Sequence, residues 1–217
     1  MLSTEQTSTM TEFNDKQIEI LHVAEKLFAE EGFDGTSIRD IAKMANINIA
    51  MISYYFGSKE KLLEAIVLNR IADMRIQLES IYNETLPPFE KVDKLVQLYI
   101  SRINENRRIY QIVHFEFSTK KRELNFDSFT EMKRSNLETF RNIIKEGQDS
   151  GEFQKDINVD LLPPVIMGTY FQFHMNKPLY QNILKLTSEE AYDHYISTTL
   201  TKHIQKTIKA LLVYEAN

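Results

Sequence analysis

Between Asn46 and Gly57 the chain gathers Ile47, Ile49, Ala50, Met51, Ile52, Tyr54, Tyr55 and Phe56 into one short stretch, with polar Asn48 and Ser53 set among them. Asn46 tolerates the left-handed backbone of a tight helix-to-helix turn, and Gly57 stops whatever precedes it. The stretch is therefore expected to be a turn followed by a short helix over Ile49 to Phe56. A core helix accounts for its apolar residues but not for two adjacent tyrosines beside Asn48 and Ser53. One side of this helix must be core and the other must serve something else.

The segments around it are also helical in pattern. Ile20, Leu21, Ala24, Leu27 and Phe28 recur at three- and four-residue steps from Asp15 to Glu31, with Asn14 or Asp15 as cap and Gly32 as stop. Ser37 and Asp40 have capping-box spacing ahead of a helix carrying Ile38, Ile41, Ala42 and Ala45. Ser58 caps a long helix from Lys59 to about Tyr82. The prolines of "TLPPFEK" then punctuate the chain at 85 to 91. Further helices are expected over Val92 to Asn104, Arg107 to Ser118, Ser128 to Gln148, Val165 to Met175 and Ser188 to about Tyr214. No strand alternation or internal repeat interrupts this, and the fold class is all-α.

Composition narrows the functions available. The 217 residues include no cysteine, which removes disulfides, thiolate metal sites and a cysteine nucleophile. The five histidines form no HxxxH pair, and His194 and His203 are nine residues apart, so no metal site is expected. No phosphate loop, nucleophile elbow or zincin motif is present, and the paired glutamates read as solvated faces. Neither an enzyme nor a cofactor is expected. No apolar run approaches the roughly 20 residues of a membrane span. Residues 1–13, MLSTEQTSTMTEF, lack the basic and apolar regions of a secretion signal and are expected to be a frayed tail. A cytoplasmic protein is the expectation. The formal charge of -5 argues against coating nucleic acid wholesale, but leaves room for a local DNA-contacting face.

Two short helices joined by a tight turn and flanked by longer ones make a helix-turn-helix (HTH) unit. In that arrangement Ile38, Ile41, Ala42, Ala45, Ile47, Ile52 and Phe56 pack inward, while Asn48, Ala50, Met51, Ser53, Tyr54 and Tyr55 face out. Small Ala50 lets the backbone approach the groove floor, and Met51 suits thymine methyls. Asn48 and the hydroxyls can donate to phosphates and base edges. Lys59, beside a helix amino terminus, has the makings of a phosphate clamp.

The stretch from Ile20 to Val67 resembles the amino-terminal domain of the tetracycline-repressor (TetR) family. The matching pieces are "A..LF.E.GF", "TS.RDIA", "A.I....IS.YF" and "SKE.LL". The resemblance implies an HTH DNA-binding domain over 14–60, with the HTH itself about 37–56. It also implies DNA contacts from Thr36, Ser37, Arg39, Asn48, Ile49, Ala50, Met51, Ser53, Tyr54, Tyr55 and Lys59. Asn46 stands where the family commonly has Gly. Ser53 replaces a common Tyr, and Ile49 a common polar or basic residue, so the operator sequence is left open.

The resemblance further implies that residues 61–217 form a larger helical domain for dimerisation and ligand binding. The apolar helix from Val165, with Gly168 permitting close approach, supports a homodimer. So do two stride-four rows on the last helix. One is Tyr192, Ile196, Leu200, Ile204, Ile208 and Leu212, whose members from Tyr192 to Ile208 are assigned to the interface with Val165 and Gly168; the other is Ala191, Tyr195, Thr199, His203, Thr207 and Leu211. Tyr110, His114, Phe117, Phe140, Tyr170, Phe171 and His174 are the candidates to line a pocket for a small apolar effector. The expected function is a dimeric transcriptional repressor released from a palindromic operator by that effector. The rival expectations are an effector-free architectural DNA binder of the same fold, and a helical-bundle carrier or enzyme with an incidental HTH.

Overall fold

A computed structural model describes residues 13–119 and 127–213, with all their side chains except those of 117–119 and 128. Of the expected tail at 1–13, residues 1–12 lie outside the described residues, as does the "KKRE" segment, whereas Phe13 packs with its ring 6.5 Å from that of Phe56 and so belongs to the fold. Every regular element among the described residues is a helix, and none is a strand. The described residues fall into two compact units: one drawn from Met1–Ala72 with Arg108–Met132, the other from Asp73–Arg107 with Lys133–Asn217.

The first unit holds α1 (Asp15–Gly35), α2 (Ile38–Met44), α3 (Ile49–Phe56), most of α4 (Lys59–Asn83) and nearly all of α6 (Arg107–Thr119). Local chemistry sets its boundaries. The Asn14 side chain accepts from the Gln17 amide while the Gln17 side chain accepts from the Asn14 amide. Ser37 and Asp40 repeat that reciprocal pairing at the start of α2. Asn48 opens α3 by accepting from the Ala50 amide at 2.8 Å. Asn46 makes the turn at φ 51°, and Gly57 ends α3 at φ 80°. Gly32 breaks helical geometry inside α1 at φ 77°, where the sequence places a stop. Ile20, Phe28, Ile41, Ile52, Leu62, Leu63 and Ile66 form the fully buried centre of this unit, and Ile109 of α6 joins its core. Arg70 of α4 grips Glu25 of α1 with both its Nε and Nη2, the latter at 2.6 Å.

The second unit contains α5 (Pro88–Glu105), most of α7 (Asp127–Asp149), a 3-10 turn (Val159–Leu161), α8 (Leu162–Met175), α9 (Lys177–Ile183), α10 (Glu189–Tyr195) and α11 (Thr201–Leu212). Prolines open α5, α8 and α9 rather than separating them, because the first turn of a helix has no use for the missing N–H. That is why α5 begins at Pro88 instead of Val92; α9, which opens on Lys177 and Pro178, is an additional helix that was not among those expected.

Between α10 and α11 the helix widens into a π turn, Ile196–Leu200, where Thr201 Oγ1 donates back to Ile196 O at 2.8 Å. Its effect is legible in the stride-four row. On a straight α-helix such a row drifts by about 40° per step, or about 200° over five steps, and would leave the core. The π turn absorbs one extra residue. Tyr192, Ile196, Leu200, Ile204, Ile208 and Leu212 therefore all stay inside, none more than 8% exposed. Two ties fix α11 to α5 at Asp93: Gln205 donates to its carbonyl at 3.0 Å, and Lys209 pairs with its carboxylate at 2.5 Å.

Candidate nucleic-acid interface

The outward side of α3 is built by placement rather than by charge. Ile52 and Phe56 anchor it in the core, which turns Ile49, Ala50, Ser53 and Tyr54 to solvent; Tyr54 is 84% exposed. Met51 and Tyr55 are half-buried, and the Tyr55 ring meets Tyr54 at 5.2 Å and Phe56 at 6.3 Å, both edge-on. Asn48 is exposed, and its Oδ1 is already engaged as the cap, so its amide N–H groups are what it offers outward. Arg39 and Lys43, four residues apart on α2 and both exposed, place two positive charges one above the other. Lys43 belongs with this face by that spacing, although the motif comparison does not assign it a contact. The Ser37 hydroxyl and backbone hold the Asp40 carboxyl below its ordinary range, so the cap remains charged and formed at neutral pH.

Three of the expected contacts have other work. The Thr36 side chain is buried, with its hydroxyl donating to Gly32 O at 2.9 Å, so it closes the end of α1 and is not available to DNA. Lys59 donates to Phe33 O and Thr36 O, both at 2.8 Å, and lies 4.3 Å from the Phe33 ring centroid. Its ammonium latches α4 to the carbonyl end of α1 instead of standing free as a phosphate clamp. Ser37, exposed, points its hydroxyl at Asp40 as a cap.

The pocket candidates separate. Tyr110, half-buried, and His114, exposed, belong to the first unit. An exposed His114 ring is not an apolar wall. Phe117 lies outside the residues whose side chains are described. In the second unit Phe140 is buried against Tyr99, and Phe171 is half-buried. Tyr170, fully buried, donates to Asn104 Oδ1 at 2.9 Å and stacks on His174 at 5.7 Å. His174 Nδ1 meets the Tyr192 hydroxyl at 3.2 Å. Phe173 adds Tyr180, Tyr192 and Tyr195 to the group, each ring within 5.6 Å and nearly parallel. The sequence does not group these tyrosines with Phe173, because they come from α9 and α10, which no spacing within α8 reveals.

The environment of His174 gives a prediction. Burial lowers its pKa first, the cations Arg107 and Lys177 lower it further, and Asp193 and Glu189 oppose them. Burial likewise pushes the Tyr192 hydroxyl up to about 12, so it remains a neutral partner. Below pH of about 6.5 the unfolded chain takes up a proton that the folded ring refuses. Stability is therefore lost as pH falls through the ordinary histidine range and toward the depressed folded value. His174→Gln should flatten that part of the profile, measured by thermal unfolding between neutral and mildly acidic pH. An unchanged slope would place the titration elsewhere.

The interface assignment needs correction. Tyr192, Ile196, Leu200, Ile204 and Ile208 are interior residues of the chain itself, so that row cannot also face a second subunit. The outward row of the same helix is the other one, with Thr199, His203 and Leu211 exposed. Val165 is half-buried and Gly168 exposed on α8, on the side away from buried Ile166 and Tyr170.

Comparison with known proteins agrees with this geometry. The family described as bacterial regulatory proteins, tetR family, matches residues 20–66, and the tetracyclin repressor-like C-terminal domain matches residues 88–202. The HTH-type transcriptional repressor KstR2 of Mycobacterium tuberculosis is 22% identical over 187 residues, covering 86% of this chain and 92% of the relative. A probable HTH-type transcriptional regulator of Bacillus subtilis, YttP, is 34% identical over 139 residues, covering 62% and 65%. Among solved structures, the transcriptional regulator FadR from Bacillus subtilis in complex with stearoyl-CoA superposes with a TM-score of 0.70 at 20% identity, covering 90% of this chain and 99% of that one. With the family's DNA-binding domain matched near the amino-terminal end and its carboxy-terminal domain matched over more than half of this chain, the chain belongs to the tetR family of bacterial regulatory proteins and is a DNA-binding transcriptional regulator.

Proposed function

We propose that the protein is a cytoplasmic homodimeric repressor that reads a palindromic operator with α3 and leaves it when a small amphipathic effector binds the second unit. The observation that carries the reading is the outward side of α3: exposed Ala50, Ser53 and Tyr54 on a short helix pinned by Ile52 and capped by Asn48. A face this poor in charge gains affinity by pairing two subunits, with α3 of each entering successive major grooves about 34 Å apart. Arg39 and Lys43 then supply the phosphate contacts, and Asn48 and the tyrosines the base edges. The stearoyl-CoA held by FadR, an anionic amphiphile, supports an effector with a long apolar part. For the effector to act, it must bind the non-operator conformation better than the operator-bound one.

Fluorescence anisotropy against DNA from upstream of the protein's own gene, with a shuffled duplex as control, tests the reading. Tyr54→Ala should weaken specific binding by about tenfold or more, since one good base contact is worth about 1–3 kcal/mol. Arg39→Ala should weaken both duplexes alike and lower the dimer's salt slope by about two, one per subunit. Equal weak binding of both duplexes, unmoved by either substitution, would count against α3 as the reading helix once a second, unrelated promoter gives the same result.

A further inference from the structure

In the second unit the first residues of α6, α9 and α10 bring Arg107, Lys177 and Glu189 together. The two cations are held by more than the glutamate. Arg107 donates to Asp193 Oδ1 at 2.8 Å and to Asn104 Oδ1 at 3.4 Å. Lys177 lies 4.7 Å from the centroid of the buried Tyr192 ring. Glu189 bridges them from the solvent side: it accepts from Lys177 at 2.6 Å and stands 3.9 Å from Arg107 Nη2. The exposures decide which member is the loose one. The Arg107 and Lys177 side chains are 27% and 21% exposed, whereas Glu189 is 64% exposed. Ion pairs this open contribute little, and a glutamate with that much freedom is readily displaced. What stays behind is a guanidinium fork and an ammonium already fixed at the edge of an aromatic floor, a pairing suited to a planar or tetrahedral oxyanion.

We propose that Arg107 and Lys177 form an oxyanion-binding site in which Glu189 is an internal placeholder, displaced by the carboxylate or phosphate group of a small molecule. The partly exposed rings of Tyr180 and Tyr195, stacked against Phe173 beside the site, give the apolar part of such a molecule a surface to lie on. This deepens the effector reading by giving the effector a negative charge, and it rests on that reading only for its consequence at the operator. Glu189→Gln keeps the shape of the placeholder and removes its charge, so the site should then accept an external anion more tightly. Glu189 also belongs to the charge balance around His174, since its replacement leaves Arg107 and Lys177 facing Asp193 alone.

The test is a calorimetric titration of the full-length protein with inorganic phosphate, at ionic strength matched with chloride and without DNA. Glu189→Gln should bind phosphate about tenfold tighter than the wild type, and adding Lys177→Gln should abolish the gain. Dodecanoate should follow the same order among the three proteins, and dodecanol should not distinguish them. Identical phosphate affinity in the wild type and Glu189→Gln would overturn the proposal, and that single exposed substitution decides it even if the double variant folds poorly. Because no DNA is present, a failure at the operator leaves this result intact, and a failure here leaves operator binding intact.

Discussion

Gly168→Glu should yield a folded protein that sediments as a monomer. A Cβ at Gly168 meets nothing within 4 Å, and its backbone is ordinary, so the fold of a single chain has room for the new side chain. The surface around it is a different matter. Leu161, Val165, Gly168, Gln172 and Met175 recur at steps of four and three, the spacing of a helix seam, and Leu161 and Met175 are 56% and 64% exposed. Gly168 is where a partner helix can come closest. In a two-fold pairing each new carboxylate is buried and faces its own copy, which costs several kcal/mol. Sedimentation velocity at micromolar protein should show the dimer lost and the circular dichroism kept. Operator affinity should fall by orders of magnitude along with the dimer, since each monomer offers only one α3. A variant that remains a dimer would move the interface off α8.

The second large effect is on stability. Gly147 of α7 faces the Phe153 ring, and a Cβ there would lie 2.1 Å from Phe153 Cδ2. The ring cannot simply turn aside, because Phe153 is 2% exposed and packs edge-on against Phe89 at 4.8 Å. Its amide also donates to Gly147 O at 2.9 Å, which fixes the backbone turn around the contact. Gly147→Ala should therefore evict Phe153 and cost about 3 kcal/mol, the scale of overpacking combined with a lost core phenyl. Urea unfolding followed in the second unit checks it. A loss within a few tenths of a kcal/mol would mean that the loop after α7 yields easily. In that case Phe153 would not be a fixed part of the core.

Much of the first unit could be read from the chain because its determinants are local. Capping residues lie three positions from their partners, and the left-handed turn needs only Asn46 itself. The division of α3 into inner and outer sides follows from its period alone. Lys59 misled because its partners are carbonyls at the end of α1, brought near by packing rather than by spacing; the Thr36 bond to Gly32 O is local, and what the sequence did not show is the burial of that side chain. In the second unit, the stride-four rows on the last helix were legible as rows, but not which of them faces inward. That choice depends on the π turn at Ile196–Leu200, which changes the phase of everything after it. The aromatic group around Phe173 and the cluster at Arg107, Lys177 and Glu189 were hidden for a related reason, since each is assembled from three helices.

The central claim is that two copies of this chain read a symmetric DNA site with α3. It is tested most directly by selection of binding sites from random duplex DNA, run in parallel with the wild type, Tyr54→Ala and Gly168→Glu. The wild type should enrich a palindrome whose half-sites are about one helical turn apart. Tyr54→Ala should relax the sequence at matching positions in both halves, and Gly168→Glu should enrich nothing above background. Enrichment of an asymmetric site, or of the same palindrome with equal strength by all three proteins, would contradict the account.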